Sequence, residues 1–259
     1  MKYKHKTNKF SILIVFLALV LALGSLSFVF VRRNSDNSNN SSEINFSNLT
    51  MACLGDSIVM GPINHTSPIT TPYCDIVKDN LSLRDVYNFG CSWSSIACKS
   101  SCVCHPDGDY ATIHEPYVYR YMDLPQADII HVRCGTNDYG LGVPIGTIDD
   151  YGSSTYYGAL NMLASGLKTR YPNSYIFFMT ACKYYDYDNV SGYGIAMSEY
   201  TNAVKNVCAK YNIDCFDFFN EVPIDRDTQT YDGIHPIQDY LTNTMAPAIT
   251  QFIKDNYKK

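Results

Sequence analysis

A serine follows the end of an apolar run in the stretch MACLGDSIVMG, residues 51–61. Leu54 closes the run, and Gly55, Asp56 and Ser57 come next. A serine hydroxyl is a poor nucleophile until a base takes its proton, so a catalytic Ser57 requires a base elsewhere in the chain. The same residues also fit a turn with an Asp or Ser helix cap. The partners of Ser57 must decide between these two interpretations.

One of the six histidines stands in a context suited to a general base. His235 lies in YDGIHP, residues 231–236, and Asp232 precedes it by three residues with Gly233 between them. One tight loop can fold this carboxylate onto the imidazole, where it would fix the tautomer and stabilise the imidazolium. The alternative is a turn that opens the last helix, with an Asp cap and Pro236 at its first position. The other five lie in the N-terminal segment, in loops or inside a predicted strand: His5, His65, His105, His114 and His131.

Acyl transfer also needs hydrogen-bond donors for the oxyanion of the tetrahedral intermediate, and loss of one donor costs about 3 kcal/mol. Two candidates follow predicted strands. Gly90 in NFGCS would let a backbone N–H approach the site, and Asn137 in GTND can present a side-chain amide. A plain turn explains each of them when it is taken alone. Strand ends that carry Ser57, Gly90 and Asn137, combined with the Asp-x-x-His loop, favour a site for acyl transfer.

The chain between residues 49 and 259 alternates short apolar runs with longer amphipathic ones, which predicts an α/β domain with a parallel sheet. The predicted strands are Met51–Leu54, Val86–Phe89, Ile129–Cys134, Tyr175–Thr180 and Asp214–Phe218. The predicted helices cover about 71–81, 155–171, 193–211 and 238–257. One of them carries a core-facing stripe at helical spacing: Tyr156, Leu160, Leu163 and Leu167. Because the carboxyl ends of parallel strands share one edge, the candidate site residues are expected to meet there.

The overall composition is that of a globular protein without a nucleic-acid partner. The chain has 259 residues, of which 46% are hydrophobic and 17% charged, so it can bury a sizeable core. The formal net charge is -5, and the sequence pI is about 5.6. Basic residues are not clustered outside the N-terminus, so the basic surface of a nucleic-acid binder is missing.

The N-terminal part predicts a membrane segment followed by a polar linker. Residues 10–31 carry no charge, and about 20 apolar residues span a bilayer as a helix. Four lysines precede this segment and two arginines follow it, so residues 1–9 are expected in the cytoplasm and the rest of the chain outside. The apolar core is longer than that of a usual signal peptide, which favours an uncleaved signal anchor; cleavage near residues 22–24, giving a secreted protein, is the alternative. Residues 32–48 would form the linker and residues 49–259 the catalytic domain.

All ten cysteines lie in the predicted folded domain. In an exported protein this number predicts disulfides, although the pairing does not follow from the sequence. Three of the ten lie in CKSSCVCH within the insertion Cys91–Tyr121, which flanks Gly90 and could cap the pocket. A metal site formed by Cys98, Cys102, Cys104 and His105 is the alternative, but this spacing fits no regular zinc pattern.

Four blocks of the sequence resemble the SGNH hydrolases, also called GDSL esterases, lipases or acylhydrolases. The blocks are GDSIVMG, the glycine of NFG, GTND and DGIHP, in the order that the family has them. They cover nearly the whole predicted domain. The resemblance implies a doubly wound, three-layer α/β/α sandwich with a five-stranded parallel sheet, like that of flavodoxin. The chain departs from the family at Cys134, where relatives often have glycine, and at residues 179–181, where MTA replaces the common TP.

The same resemblance implies a role for each candidate residue. Ser57 would be the nucleophile and, through its backbone N–H, the first oxyanion donor. Gly90 would supply a second N–H, and Asn137 a side-chain donor. His235 would act as general base and then acid, oriented by Asp232. No metal or organic cofactor is implied.

The residues near the candidate site favour a small ester as substrate. Trp93 follows Gly90 by three residues and Tyr139 follows Asn137 by two, so aromatic faces that stack on sugars are expected there. We expect an extracytoplasmic serine esterase whose first candidate substrates are O-acetyl groups on carbohydrate. The alternatives are a lipase- or lysophospholipase-like acylhydrolase, an acyltransferase that uses an alcohol acceptor, and a non-catalytic surface binding domain. The expected partners are the acylated substrate and the membrane.

Overall fold

Five parallel strands form one sheet in the order β2-β1-β3-β4-β5. They are β1 Thr50–Gly55, β2 Asp85–Gly90, β3 Ile129–Arg133, β4 Tyr175–Met179 and β5 Asp214–Phe216. The computed structural model describes residues 44–62, 67–98, 116–184 and 194–258. Every strand lies within about two residues of the predicted one, so the prediction of an α/β domain with a five-stranded parallel sheet is confirmed.

The helices of the described residues alternate with these strands. They are α1 Ser57–Met60, α2 Tyr73–Leu81, α3 Tyr117–Arg120, α4 Thr136–Leu141, α5 Tyr156–Arg170, α6 Met197–Tyr211, α7 Phe218–Glu221, α8 Arg226–Gln229, α9 Gln238–Tyr240 and α10 Ala246–Asn256. The helix predicted over 238–257 contains a π-helical turn, Leu241–Met245, between α9 and α10. α6 begins at Met197, later than the predicted start at residue 193. The short helices α1 and α4, which hold site residues, were not predicted.

Both faces of the sheet are apolar. Successive strand residues point to opposite sides, and the strands carry apolar residues at successive positions. Met51 and Cys53 pack into a core with α2 and α10, whereas Ala52 and Leu54 pack into a second core with α5 and α6. The stripe predicted on α5 is fully buried in this second core: Tyr156, Leu160, Leu163 and Leu167. Helices therefore cover both faces, and the domain has the layers of an α/β/α sandwich.

The N-terminal predictions fall largely outside the described residues, including the membrane segment at 10–31 and most of the linker. Among the helices of the described ranges, none is both long and apolar enough to cross a bilayer. The packed part of the chain begins ahead of the predicted boundary at residue 49. Phe46 is buried, and its ring centroid lies 5.6 Å from that of Tyr257.

The predicted disulfides are not found within the described ranges, where no two cysteines are joined. Five of these cysteines are buried in the two cores: Cys53, Cys74, Cys134, Cys182 and Cys208. There they pack as small apolar residues, a common role of free cysteine. Burial raises the pKa of Cys53 and Cys134, so these thiols stay protonated. Cys102 and Cys104 lie outside the described residues, and so does most of the alternative metal site.

The strand order creates a crevice beside β1. The chain passes from β1 to β2 on one side and then to β3 on the other, so the winding reverses at β1. In open α/β sheets such a reversal leaves a crevice at the carboxyl ends of the strands, where ligands bind. Residues that follow β1, β2 and β3 therefore reach the same place.

Candidate active site

Ser57 opens helix α1 directly after β1. Asp56 caps this helix, because its Oδ1 accepts the N–H of Ile58 at 2.9 Å. A Cβ on Gly55 would lie 2.0 Å from Cγ2 of Val59, so only glycine lets the strand and the helix approach this closely. The turn-and-cap interpretation of the sequence is thus correct for Asp56, and the same turn holds Ser57 at the carboxyl edge of the sheet.

A buried ion pair ties this turn to β3. Nη1 of Arg133 donates to Oδ2 of Asp56 at 2.7 Å and to Oγ1 of Thr136 at 3.0 Å. The Arg133 side chain is fully buried. Burial acts to lower the pKa of Arg133, but the Asp56 carboxylate raises it well above its ordinary value, so the guanidinium stays charged. Arg133 was not among the predicted site residues, although a lone arginine in the apolar stretch IIHVRC was a signal.

His235 lies between the serine and a carboxylate. Its Nε2 is 2.8 Å from Oγ of Ser57, and its Nδ1 is 2.6 Å from Oδ2 of Asp232. With Nδ1–H donating to the carboxylate, Nε2 is the acceptor for the Ser57 hydroxyl. The sequence-predicted Ser57, Asp232 and His235 therefore form one continuous hydrogen-bonded chain.

Backbone hydrogen bonds fix the carboxylate of this chain. Oδ1 of Asp232 accepts the N–H of Ile234 at 3.0 Å and that of His235 at 2.8 Å. Partial burial acts to raise the pKa of Asp232, but these bonds and the one to the imidazole outweigh it and lower the pKa. Gly233 has a φ of 86°, which a side chain would disfavour, and this conformation folds the loop back. The carboxylate is thus held ionised beside the imidazole.

Tyr231 supports the other side of His235. The two rings stack with centroids 5.6 Å apart and an angle of 18° between their planes. The Tyr231 N–H also donates to the carbonyl of His235 at 3.0 Å, which closes the loop. Sequence analysis assigned no role to Tyr231, although it adjoins Asp232 in the YDGIHP motif.

Gly90 ends β2 at the carboxyl edge of the sheet, as predicted, but its N–H has a partner of its own. Its N–H donates to Oδ1 of Asn88 at 2.9 Å, and the residue does not line the cavity that contains Ser57. A Cβ at this position would lie 2.0 Å from the backbone nitrogen of Met60. The glycine is required because β2 packs closely on α1. The structure therefore does not present the Gly90 N–H to an oxyanion at Ser57.

Asn137 and Asp138, at the start of α4, hold the segment that follows β2. Nδ2 of Asn137 donates to the carbonyl of Ser94 at 2.9 Å, and the same amide carries a second N–H beside the cavity. The Asp138 carboxylate accepts the N–H groups of Ile96 and Ala97 at 3.0–3.1 Å. Burial raises the pKa of Asp138 to about 7, although these N–H bonds act to lower it. Of the residues predicted to supply oxyanion donors, Ser57 and Asn137 therefore both line the cavity.

A cavity of about 520 Å³ opens above Ser57 and His235. Its described walls are aromatic and polar with few aliphatic side chains. Aromatic rings come from Trp93, Tyr139, Tyr184 and Tyr231, and the polar side chains include Ser67, Ser92, Thr136, Asn137 and Asp232. Trp93 and Tyr139 were expected here from their spacing to Gly90 and Asn137. Tyr184 and Met197 were not, because they follow β4 at positions that no motif marks.

A sequence model of the GDSL-like Lipase/Acylhydrolase family matches residues 53–239, which include every candidate site residue. The chain belongs to this family. It is a carboxylic ester hydrolase of the SGNH superfamily, as the four sequence blocks predicted. Among curated proteins, no sequence matches that of this hydrolase.

Solved structures of similar fold extend over most of the hydrolase. A protein from Lactobacillus plantarum has a TM-score of 0.68 and 25% identity, with 83% of this chain and 100% of that chain covered. A proposed GDSL-like lipase from Bacteroides ovatus has a TM-score of 0.59 and 21% identity, with 81% and 100% covered. A carbohydrate acetylesterase family member from Sinorhizobium meliloti has a TM-score of 0.54 and 13% identity, with 80% and 98% covered. At identities this low, the last two likenesses concern the fold alone.

Proposed function

We propose that the protein is a serine esterase that removes small acyl groups, above all O-acetyl groups of carbohydrate, through Ser57, His235 and Asp232. The observation that carries the proposal is the chain of contacts from Oγ of Ser57 to Nε2 of His235 at 2.8 Å and from Nδ1 of His235 to Asp232 at 2.6 Å. Nucleophile, base and orienting carboxylate within hydrogen-bond reach are the arrangement that serine acyl transfer requires.

In the proposed reaction, Oγ of Ser57 attacks the ester carbonyl carbon while its proton passes to Nε2 of His235. The tetrahedral intermediate collapses, the bond to the alcohol oxygen breaks, and His235 returns the proton to the leaving alcohol. Water then attacks the acyl-serine and gives a proton to His235. The bond between the acyl carbon and Oγ breaks, His235 returns the proton to Ser57, and the carboxylic acid leaves. Asp232 keeps the imidazole in the required tautomer and stabilises the imidazolium.

The oxyanion donors in this proposal are the side-chain amide of Asn137 and the backbone N–H of Ser57. Asn137 lines the cavity beside Ser57. The Ser57 N–H lies in the first turn of α1, where N–H groups lack intrahelical acceptors. Gly90 is left out because its N–H is bonded to Asn88. An acyltransferase would share the acyl-serine, so the acceptor that resolves it decides between water and an alcohol.

The residues that line the cavity favour, as substrate, an ester of a small acyl group with a polar alcohol. Among the described lining residues, Met197 and Ile234 supply the aliphatic surface, whereas hydroxyl, amide and aromatic groups supply most of the rest. A long acyl chain would need an extended aliphatic wall to replace its contact with water. Sugars offer hydroxyls for the polar groups and a flat face for the rings. The structural likeness to a carbohydrate acetylesterase family member agrees with this substrate class.

We also propose that the domain acts outside the cytoplasm and is tethered to the membrane by an anchor at residues 10–31. The support is the uncharged stretch itself and the excess of lysine ahead of it. Acylated polysaccharides lie on that side of the membrane, so the proposed location and the proposed substrate class agree.

The test is hydrolysis of p-nitrophenyl acetate, butyrate and octanoate by the purified protein and by Ser57→Ala. We expect the acetyl ester to be cleaved fastest and Ser57→Ala to lose at least about 10³-fold in kcat. Ser47→Ala, at an exposed serine in the turn before β1, is the matched control and should keep full activity. Undiminished activity in Ser57→Ala would refute the proposed nucleophile, and a preference for octanoate would favour a lipase-like enzyme.

A further inference from the structure

Trp93 occupies a strained turn at the rim of the cavity. The turn runs from Cys91 to Ser94 and is closed by the Ser94 N–H, which donates to the carbonyl of Cys91 at 3.2 Å. Trp93, its third residue, has a φ of 63°. A positive φ at this place favours glycine or asparagine, and a bulky side chain there is strained.

Hydrogen bonds from both sides hold the turn in this conformation. Nη2 of Arg120 donates to Oγ of Ser94 at 3.0 Å, and Nδ2 of Asn137 donates to the Ser94 carbonyl at 2.9 Å. At the other end, the Cys91 N–H donates to the carbonyl of Gly55 at 3.0 Å. A disfavoured backbone conformation persists where its surroundings fix it in this way. The turn is therefore a rigid support for the side chain of Trp93.

Trp93 is not buried by the strained turn that holds it. It is 54% exposed, and it lines the same cavity as Ser57 and His235. A large exposed ring adds less to folding stability than a buried one. Backbone strain of this kind concentrates at ligand sites, where it positions a group in advance. The exposed indole therefore points to contact with a ligand.

We propose that the indole of Trp93 is the platform on which a pyranose ring of the substrate stacks, so that Trp93 determines specificity for sugar esters. This inference rests on the proposed function. A rigid aromatic ring offers a wide apolar face at a low entropic cost, and the flat C–H face of a pyranose matches it. Hydroxyls of Ser67, Ser92 and Thr136 in the same cavity can bond to the sugar hydroxyls. The ester carbonyl then lies towards Ser57 while the sugar ring lies on Trp93.

The first experiment compares Trp93→Gly with Ser82→Gly. Ser82 also has a left-handed backbone, with a φ of 55°, but it caps the end of α2 away from the cavity. Both substitutions place glycine at a left-handed backbone position that glycine adopts readily, so both variants should keep the native fold. Only Trp93→Gly should lower kcat/KM for an O-acetylated methyl glycoside, by at least about tenfold and mainly through KM. Its activity on vinyl acetate, which has no ring, should fall much less than its activity on the glycoside.

A second variant keeps the test decisive. Trp93→Phe retains an aromatic face and should recover most of the activity on the glycoside, whereas Trp93→Asn, which tolerates the left-handed backbone, should not. Equal losses on the glycoside and on vinyl acetate would overturn the inference, since they would mean that Trp93 only supports the site.

Binding can be followed separately because Trp93 is the single tryptophan of the chain. Titration of Ser57→Ala with acetylated xylo-oligosaccharide should shift its tryptophan fluorescence, and titration with vinyl acetate should not. If the wild type hydrolyses both esters but the fluorescence of Ser57→Ala does not shift, the inference is overturned while the proposed function stands. If the fluorescence of Ser57→Ala shifts but the wild type hydrolyses neither ester, the stacking platform stands and the proposed serine esterase is refuted.

Discussion

At the scale of single residues, two carboxylates of the site differ in what their surroundings do to them. Asp232 is partly exposed, and hydrogen bonds lower its pKa, so it stays ionised beside His235. Asp138 is buried, and burial raises its pKa to about 7 while it holds the N–H groups of Ile96 and Ala97. Asp232 thus orients the general base His235, and Asp138 anchors the segment that carries Trp93.

Asp138 should make the stability of the fold depend on pH. Its pKa is about 7 in the fold and about 4 in an unfolded chain, so the native state binds the extra proton between these values. The free energy of unfolding should therefore fall as pH rises from 4 to 7, by at most about 4 kcal/mol. Urea unfolding at pH 4 and pH 8 measures this loss, which should be smaller in Asp138→Asn. Equal losses in the two proteins would contradict the assignment.

Sequence reasoning identified those site residues whose geometry is set locally. Asp232 and His235 are three positions apart, and a glycine between them largely fixes how they meet. The partner of the Gly90 N–H was out of reach, because it is a side chain, Asn88, whose direction no pattern specifies. The positive φ of Trp93 was also out of reach, since only the bonds around the turn explain why a tryptophan adopts it.

At the scale of elements, the placement of α1 decides where Ser57 lies. The Asp56–Arg133 pair fixes the start of this helix to β3, and the close approach of Gly90 lets β2 pack against its end. Arg133 was missed because its partner lies 77 positions away in the sequence. Two predictions concern these supports.

Arg133→Met should destabilise the fold by about 3–5 kcal/mol, because it leaves Asp56 buried without a counter-charge. The double variant Arg133→Met, Asp56→Asn removes both charges and should recover most of that loss. Urea unfolding of wild type, both single variants and the double variant gives the coupling energy. Additive effects would contradict the prediction, because they would show no coupling between Arg133 and Asp56 in the stability of the fold.

Gly90→Ala should lower both stability and activity, because the new Cβ would lie 2.0 Å from the backbone nitrogen of Met60 and push α1 away from β2. We expect a loss of at least about 2 kcal/mol in the free energy of unfolding. Gly140→Ala in α4 is the matched control: a Cβ there meets nothing within 4 Å, so stability should rise by about 0.5–1 kcal/mol. If Gly90→Ala were as stable as wild type, the packing argument would fail.

At the scale of the whole molecule, the sequence predicted the fold well because alternation of apolar runs and amphipathic helices is a strong signal. The strands and the stripe on α5 came from that signal. The interruption of the last helix was not predicted. The π-helical turn at Leu241–Met245 continues the same apolar periodicity as its neighbours, so the pattern does not mark it. Disulfides were expected from the cysteine count, but five of the cysteines serve the cores instead.

The proposed anchor makes a prediction about the complete chain. Full-length protein should remain in the membrane fraction after carbonate extraction, because a helix of about 20 apolar residues partitions into the bilayer. A chain that starts at residue 44 should be released into the soluble fraction with unchanged kcat, since the described site residues all follow that position. Immunoblotting and esterase assays of both fractions measure this. If expression of the full-length chain instead yielded soluble protein that is shortened at its N-terminus, it would indicate a cleaved signal.

The hydrogen bond between Ser57 and His235 joins residues 178 positions apart. Synthesis proceeds from the N-terminus at roughly 5–20 residues per second, so the serine leaves the ribosome on the order of 10 s or more before its base. In the proposed mechanism the growing chain therefore carries an inert hydroxyl until His235 has been made. Esterase activity should begin only when the loop around His235 docks, so the newborn chain cannot attack esters before that loop has left the ribosome.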